Sequence, residues 1–477
     1  MSVESTAPEM TAPGSRKRQA LVPLPALAVV IAVAALTAVI YAPIVADYFA
    51  LDDFVWLRAV SGRNLAEVTA RAFKFPRFTP FDAPTPYFRP ATDISVKLEL
   101  ILFGLHPAPY HAVNLALHIG VASVGGAIAG RLTRSWLAGG AASLLFATTP
   151  AYDIAVSWIS QLAELQGAFF AVFAVLFWHM YLRTTDGRRA RWWAGAASLS
   201  LTLAVMSKES QAATLALFPL LAVLDPGRRR PWREVGACVT ALGVAAAAYL
   251  GFALWQEYRG TAQADVYEVG PHMFANARHY GGRVLVPYRA DDSAVSLVRH
   301  ALLLAYVAGG TWALVRRMRA PAFFFVWSVL WLLPFTMFTY PTEDRYTYLP
   351  ALPATAFVVS LASAVIARMP TSVRDSAVAA AGGVVALLVV VQAAGARDAQ
   401  RPLRDYARQY DRAASAMRAQ CAGLPRDGRI YFERGMPFDP FFTDVPAMAN
   451  IFFDHVEVLR EPPAGSDTRP LCIVRVP

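Results

Sequence analysis

Long apolar runs, separated by short polar breaks in which arginine is frequent, set the pattern of this chain. The first run, Leu21 to Val45, is about twice the length of a signal-peptide core and follows Arg16, Lys17 and Arg18. No A-x-A site followed by a soluble sequence appears after it, so it reads as a retained membrane span. Further runs of about 16 to 22 apolar residues lie near 110–130, 136–152, 160–182, 192–206, 210–224, 234–255, 296–315, 321–340, 347–367 and 376–396. The pattern predicts an all-α polytopic membrane domain over 20–396 with about eleven transmembrane helices. Residues 1–19, polar and containing Pro and Ser, are expected to form a disordered tail. Beyond Ala396 the long apolar runs stop, and 397–477 is expected to fold as a small soluble α/β domain. Its spacing predicts a helix from Arg397 to Cys421 and short strands at Arg429–Glu433, Asn450–Asp454, Val456–Arg460 and Leu471–Val476. No internal repeat is evident, which leaves solenoid readings without support.

Composition agrees with the pattern. Of 477 residues, 56% are hydrophobic and 16% charged, against roughly a quarter charged in soluble domains, so an ordinary water-soluble enzyme is excluded. Gly 29, Pro 33 and Cys 3 exclude collagen-like, low-complexity and disulfide-scaffold classes. The net charge of +10 in such a chain marks cytoplasmic loops rather than a nucleic-acid partner. The N-terminus, Arg131 with Arg134, Arg183 to Arg191, Arg228 to Arg233, Arg316 to Arg319, and Arg368 with Arg374 all fall on one side, which is therefore expected to be cytoplasmic. The first outer loop, 46–106, balances its bases with acids. An odd number of spans puts the C-terminal domain outside, and the chain is expected to sit in a bacterial inner (plasma) membrane. Cys421 and Cys472 pair only if that compartment is oxidising, and two free thiols fit the sequence equally well. Cys238 reads as a small packing residue within a span.

Chemistry is concentrated on the outer side. Leu51-Asp52-Asp53-Phe54 follows the first span among Tyr48, Phe49, Val55 and Trp56. Adjacent carboxylates among aromatics raise each other's pKa, as suits a general base or a cation ligand. Taken alone, a solvated loop start or a helix N-cap explains the pair as well. Four further outer strings carry charge: Phe88-Arg89-Pro90, Trp158 to Glu164, Ser207-Lys208-Glu209 and Glu343-Asp344-Arg345-Tyr346. Ionised groups near bilayer depth need partners or a wet cavity, so their convergence predicts a polar site above the membrane. His111, Asn114 and His118 share one helix face. These imidazoles either pack against neighbouring helices or, as at His111, touch substrate. Phe73, Phe75, Phe78, Phe81, Tyr87 and Phe88 read mainly as an interfacial aromatic belt, with Tyr87 and Phe88 nearest the site. The outer loop 256–295, with Tyr267, His272, His279, Arg283 and Arg289, is a candidate lid.

In these strings the chain resembles the GT-C superfamily of polytopic glycosyltransferases, nearest to the protein O-mannosyltransferase-like and tetratricopeptide-containing membrane transferase branch. To the outer strings above the resemblance adds Leu102-Phe103-Gly104-Leu105-His106-Pro107 leading into Tyr110 to His118, Met206-Ser207-Lys208-Glu209, and Arg345-Tyr346-Thr347-Tyr348-Leu349-Pro350. It covers about residues 20–367. The chain departs from that branch in having Asp52-Asp53 where Asp-Glu is frequent, in lacking the repeats, and in lacking a basic residue before Glu164. The acceptor is therefore left open among glycan, lipid and protein.

The resemblance implies an inverting transfer of a sugar from a polyprenyl-phosphate-linked donor to an acceptor hydroxyl on the outer face. Asp52 is implied as general base and Asp53 as its catalytic partner. Lys208, Arg345 and Arg89 are candidates for the donor phosphate, and Glu164, Glu209, Tyr346, Tyr87 and His111 for substrate contact. A phosphomonoester leaving group and the absence of a spaced D-x-D or His/Cys cluster predict that no cofactor is required, with Mg²⁺ or Mn²⁺ at the adjacent aspartates as the alternative. Two competing readings are a surface-polysaccharide ligase or polymerase using a lipid diphosphate donor, in which Asp52-Asp53 has no role, and a transporter or flippase for a lipid-linked solute. The second usually shows repeated halves and broken helices at the midplane, and the sequence displays neither repeats nor charges in the middle of its spans.

Overall fold

In a computed structural model, the described residues are 24–73, 77–78, 84–85, 88–260, 268–288, 292–339, 343–439, 443–453, 455–462 and 468–476. The expected N-terminal tail, Tyr87, Tyr267 and Arg289 lie outside them. In chain order the helices are α1 (Leu24–Tyr41), α2 (Asp53–Val60), α3 (Leu65–Ala72), α4 (Pro90–Phe103), α5 (Pro107–Thr133), α6 (Trp136–Thr148), α7 (Asp153–Ser157), α8 (Leu162–Arg183) and α9 (Gly187–Ser207). They continue with α10 (Leu217–Leu224), α11 (Trp232–Gly260), α12 (His272–Leu285), α13 (Ser293–Val315), α14 (Arg319–Thr336), α15 (Tyr348–Ile366), α16 (Thr371–Ala399), α17 (Arg401–Gln420) and α18 (Asp444–Phe452). A two-stranded pairing of β1 (Arg77–Phe78) with β2 (Pro84–Thr85) lies between α3 and α4, and β3 (Arg429–Arg434), β4 (Glu457–Leu459) and β5 (Leu471–Arg475) form a sheet near the C-terminus.

Each of the eleven apolar runs is mainly helical over its described residues, but among the described residues 8 helices are long and apolar enough to cross a membrane. The other three explain the difference. α6 has 13 residues, a rise of about 20 Å against roughly 30 Å of hydrocarbon. α9 opens on Arg188, Arg189 and Arg191, which dilute its apolarity. The run at 210–224 divides into a 3-10 segment, Glu209–Ala216, and the short α10.

Small residues let the helices approach closely, as membrane packing favours. A Cβ on Gly126 of α5 would stand 2.6 Å from the Gly139 carbonyl oxygen of α6, and Ser143 Oγ donates to the Ala122 carbonyl at 2.6 Å across the same contact. Trp178, Trp327 and Trp331 are fully buried in the transmembrane core. His118 bridges helices, with Nδ1 3.0 Å from the Tyr348 hydroxyl and Nε2 3.3 Å from the Ala147 carbonyl, and Asn114 donates to the Trp158 carbonyl at 3.0 Å.

α16 continues into α17 through buried Gln400, which donates to the Ile40 carbonyl at 3.4 Å. Arg397 donates to the Val39 carbonyl at 2.8 Å, and Arg404 pairs with Asp47 at 3.3 Å, so the last span is tied to the C-terminal end of the first. The C-terminal sheet is parallel in the order β4-β3-β5, with Ile430 opposite both Val458 and Cys472. Cys421 and Cys472 form a disulfide across a Cα separation of 5.7 Å.

One expected strand is a helix instead. Asn450–Asp454 falls largely within α18, because Val445, Met448, Ala449 and Phe452 recur at helical spacing and the first three are buried. A short apolar run read without its upstream turn is ambiguous between the two states. α18 packs on α2. Residues that follow the first span (Phe49, Phe54, Leu57) and residues of the C-terminal segment (Tyr410, Met417, Ile430, Met448) form a single apolar cluster.

Candidate active site

The two consecutive aspartates are turned apart by the backbone that carries them. Leu51 has φ 54°, a left-handed conformation that a branched side chain rarely adopts, and the chain enters α2 immediately after it. Asp53 is buried and points back into the protein. Its Oδ2 accepts the Ala50 amide at 2.9 Å, and its Oδ1 accepts both the amide and the hydroxyl of Ser160, at 2.8 and 2.5 Å. Trp158 Nε1 donates to the Ala50 carbonyl at 3.1 Å. Residues 50–53 are thus fastened to 158–160. Asp52 precedes α2 without making a capping bond and lies exposed to a cavity.

That cavity, of about 130 Å³, is lined by Asp52, Trp56, Arg89, Ser160, Gln161, Ala163, Glu164, Lys208, Phe338, Arg345 and Tyr346. Six sequence candidates therefore share one pocket: Asp52, Arg89, Glu164, Lys208, Arg345 and Tyr346. Asp53 sits behind it. Glu209 lies behind Arg89, gripping the guanidinium in two hydrogen bonds of 3.0 and 2.7 Å. His111 is buried beside the backbone of Asp47 and Ser157, outside the pocket lining. Tyr87 lies outside the described residues. Phe88 is buried against Tyr249 and Phe252 at ring distances of 5.4 and 5.6 Å.

Each basic residue already has an acid. Lys208 and Glu164 form a buried pair, with the ammonium 5.4 Å from the Phe335 ring and 5.2 Å from that of Tyr346. The second carboxylate oxygen of Glu164 is buried without a hydrogen-bond partner among the described residues. Arg345 pairs with Glu343 at 2.8 Å and lies over Trp158 and Tyr346 at 5.4 and 5.1 Å. Its partner is 48% exposed, whereas Glu164 is 1% exposed, so Arg345 holds the ion pair most easily exchanged for a substrate anion. The candidate lid contributes α12, which packs on the 3-10 turn Asp344–Thr347. There Arg283 pairs with Asp344 at 3.0 Å and His279 stands 3.7 Å from it.

Electrostatics separate the carboxylates further. Although its side chain opens onto the cavity, the protein packed around the pocket mouth desolvates Asp52 and raises its pKa; the Arg345 charge opposes that shift, and Glu343 and Asp439 add to it. Burial pushes Asp53 up to about 7 against the hydrogen bonds from Ala50 and Ser160, with Asp52 adding repulsion. Asp444 also rises to about 7, through burial and then the charges of Asp52 and Asp439. Asp439 accepts the amides of Thr443 and Val445 at 3.0 and 2.9 Å, closing the turn into α18. Asp439 and Asp444 were not among the sequence candidates. Their signal was an acid set among aromatics, Phe438-Asp439 and Phe441-Phe442-Thr443-Asp444, the same context that singled out Asp52. Among the described residues no group of three or more His, Cys, Asp or Glu is placed to hold a metal ion.

No protein-family model matches the chain, and no curated protein matches it by sequence. Among solved structures it is similar to the archaeal oligosaccharyltransferase AglB from Archaeoglobus fulgidus, in complex with an inhibitory peptide and a dolichol-phosphate. The identity is 12% and the TM-score 0.54, over 90% of this chain and 63% of that one. The Archaeoglobus fulgidus oligosaccharyltransferase tethered to an acceptor peptide containing the NVT sequon gives 12% identity and a TM-score of 0.55, over 91% and 63%. The fold is shared. It is the fold that the GT-C resemblance implied, and this chain spans 63% of the oligosaccharyltransferase's length. ArnT from Cupriavidus metallidurans in the apo state is similar at 15% identity and a TM-score of 0.48, over 91% of this chain and 86% of that one.

Proposed function

We propose that this protein is an integral membrane glycosyltransferase of GT-C type that moves a sugar from a polyprenyl-phosphate-linked donor to an acceptor hydroxyl, with Asp52 as general base. The observation that carries the reading is the pocket in which a solvent-facing carboxylate, Asp52, stands among three cations, Arg89, Lys208 and Arg345. Such a pocket suits a reaction that takes a proton from a neutral nucleophile and releases a phosphate.

Asp52 accepts the proton of the acceptor hydroxyl as its oxygen bonds to the anomeric carbon. The bond from that carbon to the donor's phosphate oxygen breaks, and the electron pair leaves with the polyprenyl phosphate. A single displacement of this kind inverts the anomeric centre. Arg345, sharing the pocket with Asp52, meets the charge that develops on the departing phosphate. The Lys208–Glu164 pair keeps a cation at the pocket wall, and the unpartnered oxygen of Glu164 is available to an acceptor or sugar hydroxyl. Asp53 fixes the loop that presents Asp52 and so acts as a positioning residue. The leaving group's charge is met by these side chains, and the proposal assigns no step to a divalent cation.

The arginine-rich breaks on the opposite side and the Cys421–Cys472 disulfide, which persists in oxidising compartments, support an active face outside a bacterial plasma membrane. The acceptor is a glycan, lipid or protein hydroxyl reached at that face.

The deciding experiment is transfer in vitro from a polyprenyl-phosphate-linked hexose by purified protein. Asp52→Asn is expected to retain its melting transition and lose transfer by at least about a hundredfold, within the range general bases contribute. A folded Asp52→Asn protein with wild-type transfer would overturn the assignment.

A further inference from the structure

A second cavity, of about 270 Å³, lies at the other ends of the helices that build the outer site. α8 links the two: Glu164 in its first turn lines the outer pocket and Arg183 in its last turn lines this cavity, a rise of about 28 Å. The lining combines Leu221, Leu224 and Phe323 with Arg134, Arg183 and Arg319. The three arginines come from three different breaks of the side that the charge pattern predicts to be cytoplasmic.

Arg183 belongs to the framework of this cavity. It donates Nε and Nη2 to Asp225 at 2.8 and 2.6 Å, and the buried Asp225 carboxylate also accepts the Gly227 amide at 2.8 Å and stands 3.3 Å from His179. Gly227 leaves room for it, since a Cβ there would lie 2.4 Å from the guanidinium carbon. Asp225 therefore balances one arginine. The side chains of Arg134 and Arg319 make no ion pair or hydrogen bond among the described residues. Three guanidiniums against one carboxylate leave a positive excess in an open cleft with apolar walls, at whose mouth Arg134 and Arg319 are exposed.

We infer that this cavity binds the phosphate headgroup of an anionic phospholipid from the leaflet on that side. Arg134 and Arg319 donate to the phosphate oxygens, as guanidinium geometry favours. The glycerol and first methylenes lie on Leu221, Leu224 and Phe323. Arginines that only mark sidedness need not converge on one cleft, and a free inorganic anion would gain nothing from the apolar half of this one. Basic pockets between transmembrane helices on the cytoplasmic side are an established way of holding such headgroups. The inference is independent of the chemistry proposed at Asp52.

The full-length protein in neutral detergent is titrated with phosphatidylglycerol, and separately with phosphatidylcholine of the same chains, and bound lipid is counted by native mass spectrometry. Wild type is expected to bind phosphatidylglycerol about tenfold more tightly or better, and Arg134→Gln with Arg319→Gln to remove that preference, as loss of charge-assisted bonds dictates. Leu224→Glu, which sets a carboxylate in the cavity and leaves all three arginines, is expected to remove it as well. Retention of the preference by either variant with an unchanged lipid-free melting point overturns the inference. Displacement of phosphatidylglycerol by millimolar inorganic phosphate also overturns it, by showing a site for free anions.

Discussion

Phe54 of α2 stacks on Tyr410 of α17, with ring centroids 5.5 Å apart and planes 25° from parallel. Phe54 is two residues from Asp52, and Tyr410 belongs to the segment that follows the last span, so the C-terminal unit is bonded to the loop that presents the proposed base. Tyr410 is fully buried and donates its hydroxyl to the Phe438 carbonyl at 3.0 Å. Tyr410→Ala is expected to cost roughly 3 kcal/mol, as large-to-small changes of buried aromatics do, and to lower transfer beyond what the lost folded fraction explains. Tyr410→Phe keeps the stacked ring and loses the hydroxyl's contacts with the Phe438 carbonyl and the Asp444 carboxylate, at 3.0 and 3.4 Å, together about 1–2 kcal/mol. Thermal melting and transfer measured on the same preparations check both. Equal transfer per folded molecule in all three proteins would mean that the C-terminal unit does not position Asp52.

The aspartate string and the helical runs were legible because each is local: an acid pair among aromatics, and apolar stretches long enough to read alone. The division of labour between Asp52 and Asp53 was not legible. It depends on the left-handed turn at Leu51 and on two donors from Ser160, a residue 107 positions away. The pairs Arg89–Glu209 and Lys208–Glu164 join residues 120 and 44 positions apart and are equally invisible to spacing. Asn450–Asp454 reads as a strand because the buried face of α18 begins upstream of it, at Val445, and Asp439 and Asp444 come to act on Asp52 only once that helix lies on α2.

The carboxylates around Asp52 predict a pH effect. Asp439 helps to raise the Asp52 pKa, and a base works only when unprotonated, so transfer is expected to rise with pH through that pKa. Removing the Asp439 charge lowers the pKa. Asp439→Asn should therefore move the acid limb of kcat/KM to lower pH, with the maximal rate little changed. An acid limb that stays in place, or moves upward, would show that Asp439 does not act on the base.

Asp53 makes the opposite kind of statement, about stability. Its carboxyl is raised from 3.8 to about 7 on folding, so between those values the folded state holds a proton that the unfolded state has lost. Stability from this group is greatest below the unfolded value and declines as pH rises toward about 7. Asp53→Asn cannot titrate, and its amide nitrogen cannot accept the Ala50 N–H. The variant is expected to melt lower than wild type at every pH, with a flatter dependence between about pH 4 and 7. Melting curves across that range test it, and an unchanged slope in the variant would remove Asp53 from the account.

Lys208 and Arg345 line the same pocket but are expected to fail differently when altered. Lys208→Met leaves the Glu164 carboxylate, 1% exposed, buried without its cation, which should destabilise the protein by about 3–5 kcal/mol and reduce transfer mainly through loss of folded protein. Arg345 has a half-exposed partner in Glu343, and its guanidinium is placed to meet the leaving phosphate. Arg345→Lys keeps the charge and gives up the planar fork, so stability should change by less than about 1 kcal/mol while kcat falls roughly tenfold or more. Detergent-solubilised yield and melting temperature, set beside kcat and KM for the donor, separate the two cases. If Arg345→Lys loses stability and keeps its kcat, the phosphate role belongs to another residue, and Arg89, released from Glu209 on donor binding, becomes the one to test.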